Sequence, residues 1–354
     1  MPTVVVLWLN YNSMKILNDI VIPSLKSVLN LERGPYEQKI LIIDGGSTDG
    51  SDSKLSELIK GLNNVILIKS PKNEGYAGNM NFGYKYAVDQ LGADYVIFLN
   101  NDFIVRSDSL RRMYEWLIKN EYAGVQGLEL TPSNTIGNAG MLHDEFAMVI
   151  SICNGYKVKD CDVSRPYPIT FAIGSYMLYS VDAISEMPDK MPFITETFAG
   201  FDDNYLGLMM WNKGFKISYV PVEEGIHYGS ATTKSIYEKR FKQETTRQGM
   251  KTRIALWESM RCRLQTLFNI YKWKVYTLYK LKGGYLRQAV EDGLRLAGIV
   301  RDKAGIIDLE KAIHVEFSRT YYVARAFLPR ALAIVKQDTH IKYLSKYIKD
   351  PYVH

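Results

Sequence analysis

The sequence has no apolar stretch near the ~20 residues that a membrane-spanning helix needs. The first apolar run, "VVVLWL" from Val4, is too short for a leader and follows no charged segment, so neither a signal segment nor a spanning helix is expected. Cysteine is scarce. Cys153, Cys161 and Cys262 have no CxxC spacing and an odd count, so reduced thiols in a cytoplasmic protein are expected rather than a zinc or redox motif. Neither GxxxxGK[ST] nor GxGxxG occurs, which leaves a P-loop and a nicotinamide cofactor without support. Internal repeats and low-complexity segments are missing too.

What is present is ordinary globular composition: 354 residues, 47% hydrophobic and 23% charged. That supplies a core for one large domain plus an appendage, or for two domains. The net charge of +6 hides a division. From Ser230 onward lie 25 of the 44 basic residues but 11 of the 38 acidic ones, leaving 19 basic and 27 acidic before it. An acidic first part and a strongly basic tail imply two jobs in one chain.

Strand-like and helix-like stretches alternate through the first hundred residues. "TVVVLWL" (Thr3 to Leu9), "KILIID" (Lys39 to Asp44), "NVILIKS" (Asn64 to Ser70) and "YVIFLNND" (Tyr95 to Asp102) read as buried strands. Between them, "MKILNDIVIPSLKSVLN", "SKLSELIKGL" and "NMNFGYKYAVDQLG" have helical spacing, with Pro23 as a candidate kink. Continuous apolar strands between helices predict an α/β fold with a parallel sheet covered on both faces. Further strands are expected at Ala123 to Leu130, Tyr167 to Ser180 and Phe215 to Pro221, and a helix over Asp202 to Gly214. From about Ser235 the pattern is helical, aromatic and basic, with helix periodicity at Ile254, Trp257, Arg261, Leu264, Leu267, Phe268 and Tyr271.

In an open parallel sheet ligands bind beyond the C-terminal strand ends. Here those ends read "LNYN", "DGGSTDG", the approach to "NEGYAGNMNFG", and "NND". Any one of them could be a turn or a helix cap; four in succession predict a binding rim. Asp44, at a strand tip, can accept hydrogen bonds from a base or sugar, and Gly45 and Gly46 allow close backbone approach. Glycines and amides at the start of the third helix suit a pyrophosphate. Asp102, flanked by the amides Asn100 and Asn101, offers the oxygen ligand that a hard divalent cation shares with phosphates. A helix cap is the competing role, which Ser107 or Asp108 would fill better.

The chain resembles a family 2 glycosyltransferase, rhamnosyltransferase-like sequences among them, over about Val4 to Thr233. "IIDGGSTDGS" is similar to the family's "DDGSxDG" loop, "NEGYAGNMNFG" to "NxGxAxxxNxG", and "FLNNDF" stands at its DXD motif. "FDDNYLGLMMWNKGFKISYVP" resembles "EDxDLxxRxxxxGxxxxYVP", and "GIHYGSATT" the "xHxxGxS" that follows. The resemblance implies a GT-A catalytic domain over 1–231, with 232–354 as a helical basic region. It implies a base pocket lined by Leu9 and Tyr11, with Asp44 on the base or ribose. Gly46, Asn73, Gly75, Gly78 and Asn79 would lie at the ribose and pyrophosphate, and Asn100 and Asn101 at the donor. Asp102 and His227 would hold Mn²⁺ or Mg²⁺. Asp203 would be the general base, with Asp202 beside it as the other acid; adjacent helical residues point about 100° apart, so one of the two should face the site.

The implied reaction moves a sugar, with inversion, from a nucleotide-diphosphate donor to a glycan, lipid-linked or protein-linked hydroxyl. Departures from the motifs are the single carboxylate of "NND", Tyr205 for the third acid and Met209 for the arginine. The eroded metal motif makes a non-catalytic nucleotide-sugar-binding or scaffold protein the alternative. The basic aromatic stretch Lys251 to Gly284 reads either as a surface for an anionic membrane or lipid-linked acceptor, at the inner face of the cell membrane, or as a solvated basic face packed on the catalytic domain by its apolar stripe; no nucleic acid is expected.

Overall fold

The computed structural model describes residues 1–237, 241–316, 322–323 and 326–327. The chain runs β1 (Thr3–Asn10), α1 (Ile22–Leu29), β2 (Glu37–Asp44), α2 (Ser51–Leu58), β3 (Val65–Lys69), α3 (Gly75–Leu91), β4 (Tyr95–Asn100), β5 (Phe103–Val105) and α4 (Ser109–Asn120). It continues through β6 (Gly124–Leu130), β7 (Ile136–Asn138), β8 (Met141–Asp144), β9 (Val149–Ser151), β10 (Tyr167–Pro168), β11 (Tyr176–Ser180), α5 (Val181–Ser185), α6 (Asp202–Asn212) and β12 (Ile217–His227). Then follow α7 (Ala231–Tyr237), α8 (Phe241–Ser259), β13 (Met260–Arg261), α9 (Gln265–Lys282), α10 (Gly284–Ala304), β14 (Ile307–Asp308) and β15 (His314–Val315).

A ten-stranded sheet has the order β10-β12-β6-β11-β4-β1-β2-β3, with β5 paired to β12 and β7 to β6. β1 lies parallel between β2 and β4, and the register sets Leu9 opposite both Ile43 and Asn100, and Asn10 opposite Asp44. Those strands therefore end level, as their polar termini predict. The central sheet is mostly parallel and flanked by helices, as expected, with β11 inserted antiparallel to both β4 and β6. Side-chain alternation feeds two cores. Val5 and Leu7 meet Met80, Tyr84 and Phe98 on one face, while Val4, Val6 and Trp8 meet Leu25, Leu99 and Met113 on the other.

Pro23 sits in the first turn of α1, directly after a π-helical turn over Leu17–Val21, so the helical stretch changes type just before it. The expected continuous period from Ile254 to Tyr271 is broken, because Met260 and Arg261 leave the helix to pair with Ile307 and Asp308. Trp257 and Phe268, on either side of that break, both enter the sheet's own core, with Leu296 and Val300 from α10. The cysteines differ from expectation as well: Cys153 and Cys161 are bonded, and Cys262 is a buried thiol. Cys153 has a positive φ of 56°, a turn that folds its short loop back on itself.

Candidate active site

Asp102 closes the two-residue turn between β4 and β5, and β5 then pairs antiparallel with the end of β12, setting Phe103 opposite His227. Asp102 and His227, 125 residues apart in sequence, meet there with Oδ1 and Nε2 separated by 3.2 Å. This placement depends on Gly225, whose φ is +140° and where a Cβ would lie 2.0 Å from the Ile104 carbonyl oxygen. Asp102 is 3% exposed. Its Oδ2 accepts the Ala231 backbone N–H at 2.8 Å. Burial alone would raise its pKa, but the His227 hydrogen bond and charge and the Ala231 N–H outweigh that and hold it below the usual value.

Sequence reasoning missed Glu129. It is the penultimate residue of β6 and lies 3.1 Å from His227 Nδ1, so the imidazole stands between two buried carboxylates. Burial works against a charged ring, yet hydrogen bonds to Asp102 and Glu129 lift the His227 pKa to about 10. An imidazole ligand gives up its proton to a metal, so a divalent cation could replace the proton at Nε2, beside Asp102. One carboxylate oxygen and one imidazole nitrogen, 3.2 Å apart, could together hold a divalent cation. A second cluster, Glu145, His314 and Glu316, is arranged differently: Arg263 bridges its two carboxylates.

The amides beside Asp102 are built into the rim. Asn101 donates to Asn10 Oδ1 at 3.1 Å and accepts from the Thr232 hydroxyl at 2.9 Å. Asn100 is half-buried, and its N–H donates to the Ser175 carbonyl at 3.1 Å. Leu9 and Tyr11 flank buried Asn10 and stay half-buried. Asp44 reaches the predicted strand tip but is fully buried. It accepts from Asn10 Nδ2 (2.9 Å), the Ser47 N–H (2.7 Å) and the Ser47 hydroxyl (2.6 Å). Its carboxylate is thereby spent on holding the glycine loop, where Gly46 has φ +79° against Lys72 and Asn73.

At the start of α3, Asn73 Oδ1 accepts from the Gly75 N–H and from Asn79 Nδ2. The other polar atom of Asn79, Oδ1, is buried without a partner. Gly75 has φ +72°, and a Cβ there would lie 2.1 Å from the Phe198 carbonyl oxygen, so the loop 195–201 seats directly on this helix. Gly78 is packed against Glu74 and Thr195.

That loop leads into Asp202 and Asp203, which head α6 and point differently, as helical geometry requires. Asp202 is 3% exposed and turned back into the loop, accepting from the Thr197 hydroxyl and from the Gly200 N–H at 2.7 Å. Burial, with the charge of Asp203, raises its pKa to about 6 against the Thr197 hydrogen bond. Asp203 is more open. Its Oδ2 accepts the Gly174 N–H at 3.0 Å, and its Oδ1 accepts from the Asn204 backbone and side chain. Burial raises its pKa too, against those three donors. Asn204 is held in turn by His143 Nε2 at 2.9 Å, a ring that burial keeps neutral with a pKa of about 4.

Gly174 and Ser175 connect the two acid centres. Tyr76 donates to the Gly174 carbonyl at 2.7 Å, and Ser175 Oγ donates to Glu129 at 2.5 Å. From Asp203 the connection runs through Gly174, Ser175, Glu129 and His227 to Asp102. A cavity of about 680 Å³ beside Arg106, Arg112, Tyr219 and Glu223 is lined by none of these residues.

Among known proteins, the chain is 27% identical over 128 residues to an uncharacterised glycosyltransferase of Haemophilus influenzae. The match covers 36% of this chain and spans about half, 47%, of that curated relative. The fold resembles the mannosyltransferase PcManGT from Pyrobaculum calidifontis in complex with GDP-Man and Mn²⁺ (TM-score 0.51, 12% identity, 99% of this chain, 88% of that one). It also resembles GalNAc-T7 with UDP, GalNAc and Mn²⁺ (TM-score 0.57, 15% identity, 86% of this chain, 58% of that one). Both structures are glycosyltransferases, and the likeness establishes the GT-A architecture. The profile of glycosyl transferase family 2 matches residues 6–188, over half of the sequence, and the chain belongs to that family.

Proposed function

We propose that the protein is an inverting, metal-assisted glycosyltransferase that moves a sugar from a nucleotide diphosphate to an acceptor hydroxyl. The observation that carries this is the Asp102–His227 pair at 3.2 Å on the same strand-end rim as Asp203. In this reading Asp203 takes the proton of the acceptor hydroxyl as that oxygen attacks the anomeric carbon. Its raised pKa makes it a stronger base than an ordinary carboxylate. One base and no covalent intermediate give inversion.

The nucleotide lies over the ends of β1, β2 and β4, against Leu9 and Tyr11. The unpaired Asn79 Oδ1 offers an acceptor for a donor hydroxyl. Asn100, Asn101 and Gly46 border the same edge, and the start of α3, with Asn73, Gly75 and Gly78, faces the diphosphate with the positive end of its dipole. Asp102 and His227 would hold a divalent cation, which would supply positive charge against the leaving diphosphate. Asp202 sets the loop before α6 instead of meeting substrate. Both solved neighbours carry a nucleotide or nucleotide sugar with Mn²⁺, which supports this donor class and this metal.

Residues 1–231 form the catalytic part in this reading, and the described helices α8 to α10 brace it; residues 328–354 of the expected helical region 232–354 lie outside the described residues. Gln248 on α8 donates to the carbonyls of Thr197 and Ala199, at 2.6 and 2.8 Å, gripping the loop before Asp202. No described helix is long and apolar enough to cross a membrane. α9 nevertheless exposes Trp273 (70%) and Leu281 (77%) beside Lys280 and Lys282, and carries no acid. This face supports peripheral contact with an anionic surface at the inner side of the cell membrane, and through it a lipid-linked acceptor. Incubation with a panel of nucleotide sugars and Mn²⁺ tests the reaction. Release of nucleoside diphosphate that Asp203→Asn stops is expected; nucleotide-sugar binding with no turnover under any condition would leave a binding protein instead.

A further inference from the structure

Glu129 is an acid in the middle of the polar chain to which the proposed reaction gives no task. It is 5% exposed. Its Oε1 lies 3.1 Å from His227 Nδ1, and its Oε2 accepts from the Ser175 hydroxyl at 2.5 Å. Space is kept for this carboxylate by Gly137, where a Cβ would come within 2.8 Å of Oε1. On the far side of the ring, His227 Nε2 faces Asp102 Oδ1. Both oxygens of Glu129 are therefore directed, one to the imidazole and one to a neutral donor that stops it rotating away.

We propose that Glu129 is a positioning residue that completes the charge of the cation site. Holding the proton of Nδ1 leaves the Nε2 lone pair turned towards Asp102, the orientation a metal ligand needs. Its negative charge, one ring away, also makes good what the motif "NND" lacks. With Asn100 and Asn101 neutral, Asp102 alone sets one charge against a divalent cation, whereas Asp102 with Glu129 sets two. The site is thus rebuilt from a strand that the motif does not include. This inference rests on the reading of Asp102 and His227 as the residues that hold the cation.

The test is calorimetric titration of Mn²⁺ into the full-length protein, alone and with UDP or GDP, alongside thermal unfolding. Glu129→Gln keeps the size of the side chain and removes its charge. Its Mn²⁺ affinity should fall about 10- to 100-fold, while nucleotide binding at saturating Mn²⁺ returns to near the wild-type level. Adding Asn100→Asp to Glu129→Gln should recover much of the loss by restoring a carboxylate at the motif, a rescue that a purely structural role for Glu129 does not provide. Asp102→Ala separates the two ideas. If it abolishes Mn²⁺ binding and Glu129→Gln has no effect, the role of Glu129 is overturned and the cation site stands. If Asp102→Ala leaves Mn²⁺ binding untouched, the cation site itself falls, and this inference with it. Should Glu129→Gln fail to fold, Glu129→Asp, which keeps the charge but retracts it from His227, must also weaken Mn²⁺ binding; wild-type affinity there would overturn the role.

Discussion

Asp203 Oδ2 accepts the backbone N–H of Gly174 at 3.0 Å, which fixes the open acid at the head of α6 to the strand that leads past Glu129. Backbone donors at both oxygens hold this carboxylate in place while burial raises its pKa. Asp203→Asn keeps an acceptor for Gly174 but cannot take a proton. Transfer should drop by about 10²- to 10⁴-fold, with nucleotide affinity in Mn²⁺ within a factor of a few of wild type. Steady-state rates and a calorimetric titration check this, and retained transfer would remove Asp203 from the base role.

Asp202 should behave differently, because it faces inward to Thr197 and Gly200. Its pKa in the folded protein, about 6, lies above the ordinary carboxylate value. A raised carboxylate lends stability that is fully present below about pH 4 and is lost as the pH rises through its folded pKa. Wild-type Tm should therefore decline between about pH 4 and pH 6 for this group, and Asp202→Asn should flatten that decline. Parallel Tm profiles for the two proteins would contradict the assignment.

Gly225, two residues before His227, sets the position of that ring. Gly225→Ala combines an unfavourable φ of +140° with a Cβ placed 2.0 Å from the Ile104 carbonyl oxygen. A loss of more than about 2 kcal/mol in denaturant unfolding is expected, with weaker Mn²⁺ binding, since the β5–β12 pairing carries His227 to Asp102. Wild-type stability in this variant would mean that the pairing is not needed.

The outer face of α9 should bind vesicles containing phosphatidylserine and not vesicles of phosphatidylcholine alone. Lys280→Glu with Lys282→Glu should abolish co-sedimentation, and Trp273→Ala should weaken it, with the fold unchanged because these side chains are exposed. Equal binding to both vesicle types, or binding to neither, would exclude an electrostatic membrane contact.

Strands β1 to β4 and helix α3 were legible in the sequence because each is a continuous apolar or periodic run ended by glycine or amide residues, and parallel pairing brings those ends level. The antiparallel insertion of β11 was not legible, since an apolar strand of five residues does not encode its neighbours. Asp102 stood out as an acid at the end of a strand, and His227 by its place in a motif. Glu129 was hidden: one acid inside "GLEL" has no spacing rule that relates it to a histidine 98 residues later, and the meeting is made by the bulged pairing of β12 with β6. Asp44 shows the converse. Its position at a strand tip was readable, but the sequence does not say that Asn10 and Ser47 occupy its oxygens. The helical pattern across Met260 failed because a two-residue pairing with β14 overrides local periodicity.

The most direct measurement is titration of UDP- and GDP-linked sugars into the full-length protein, in Mn²⁺ and in EDTA, for wild type and for Asp102→Ala. Saturable binding of one donor that needs Mn²⁺ and is lost in Asp102→Ala is the expected result. Donor binding that is equally tight in EDTA and unaltered in Asp102→Ala would contradict the account.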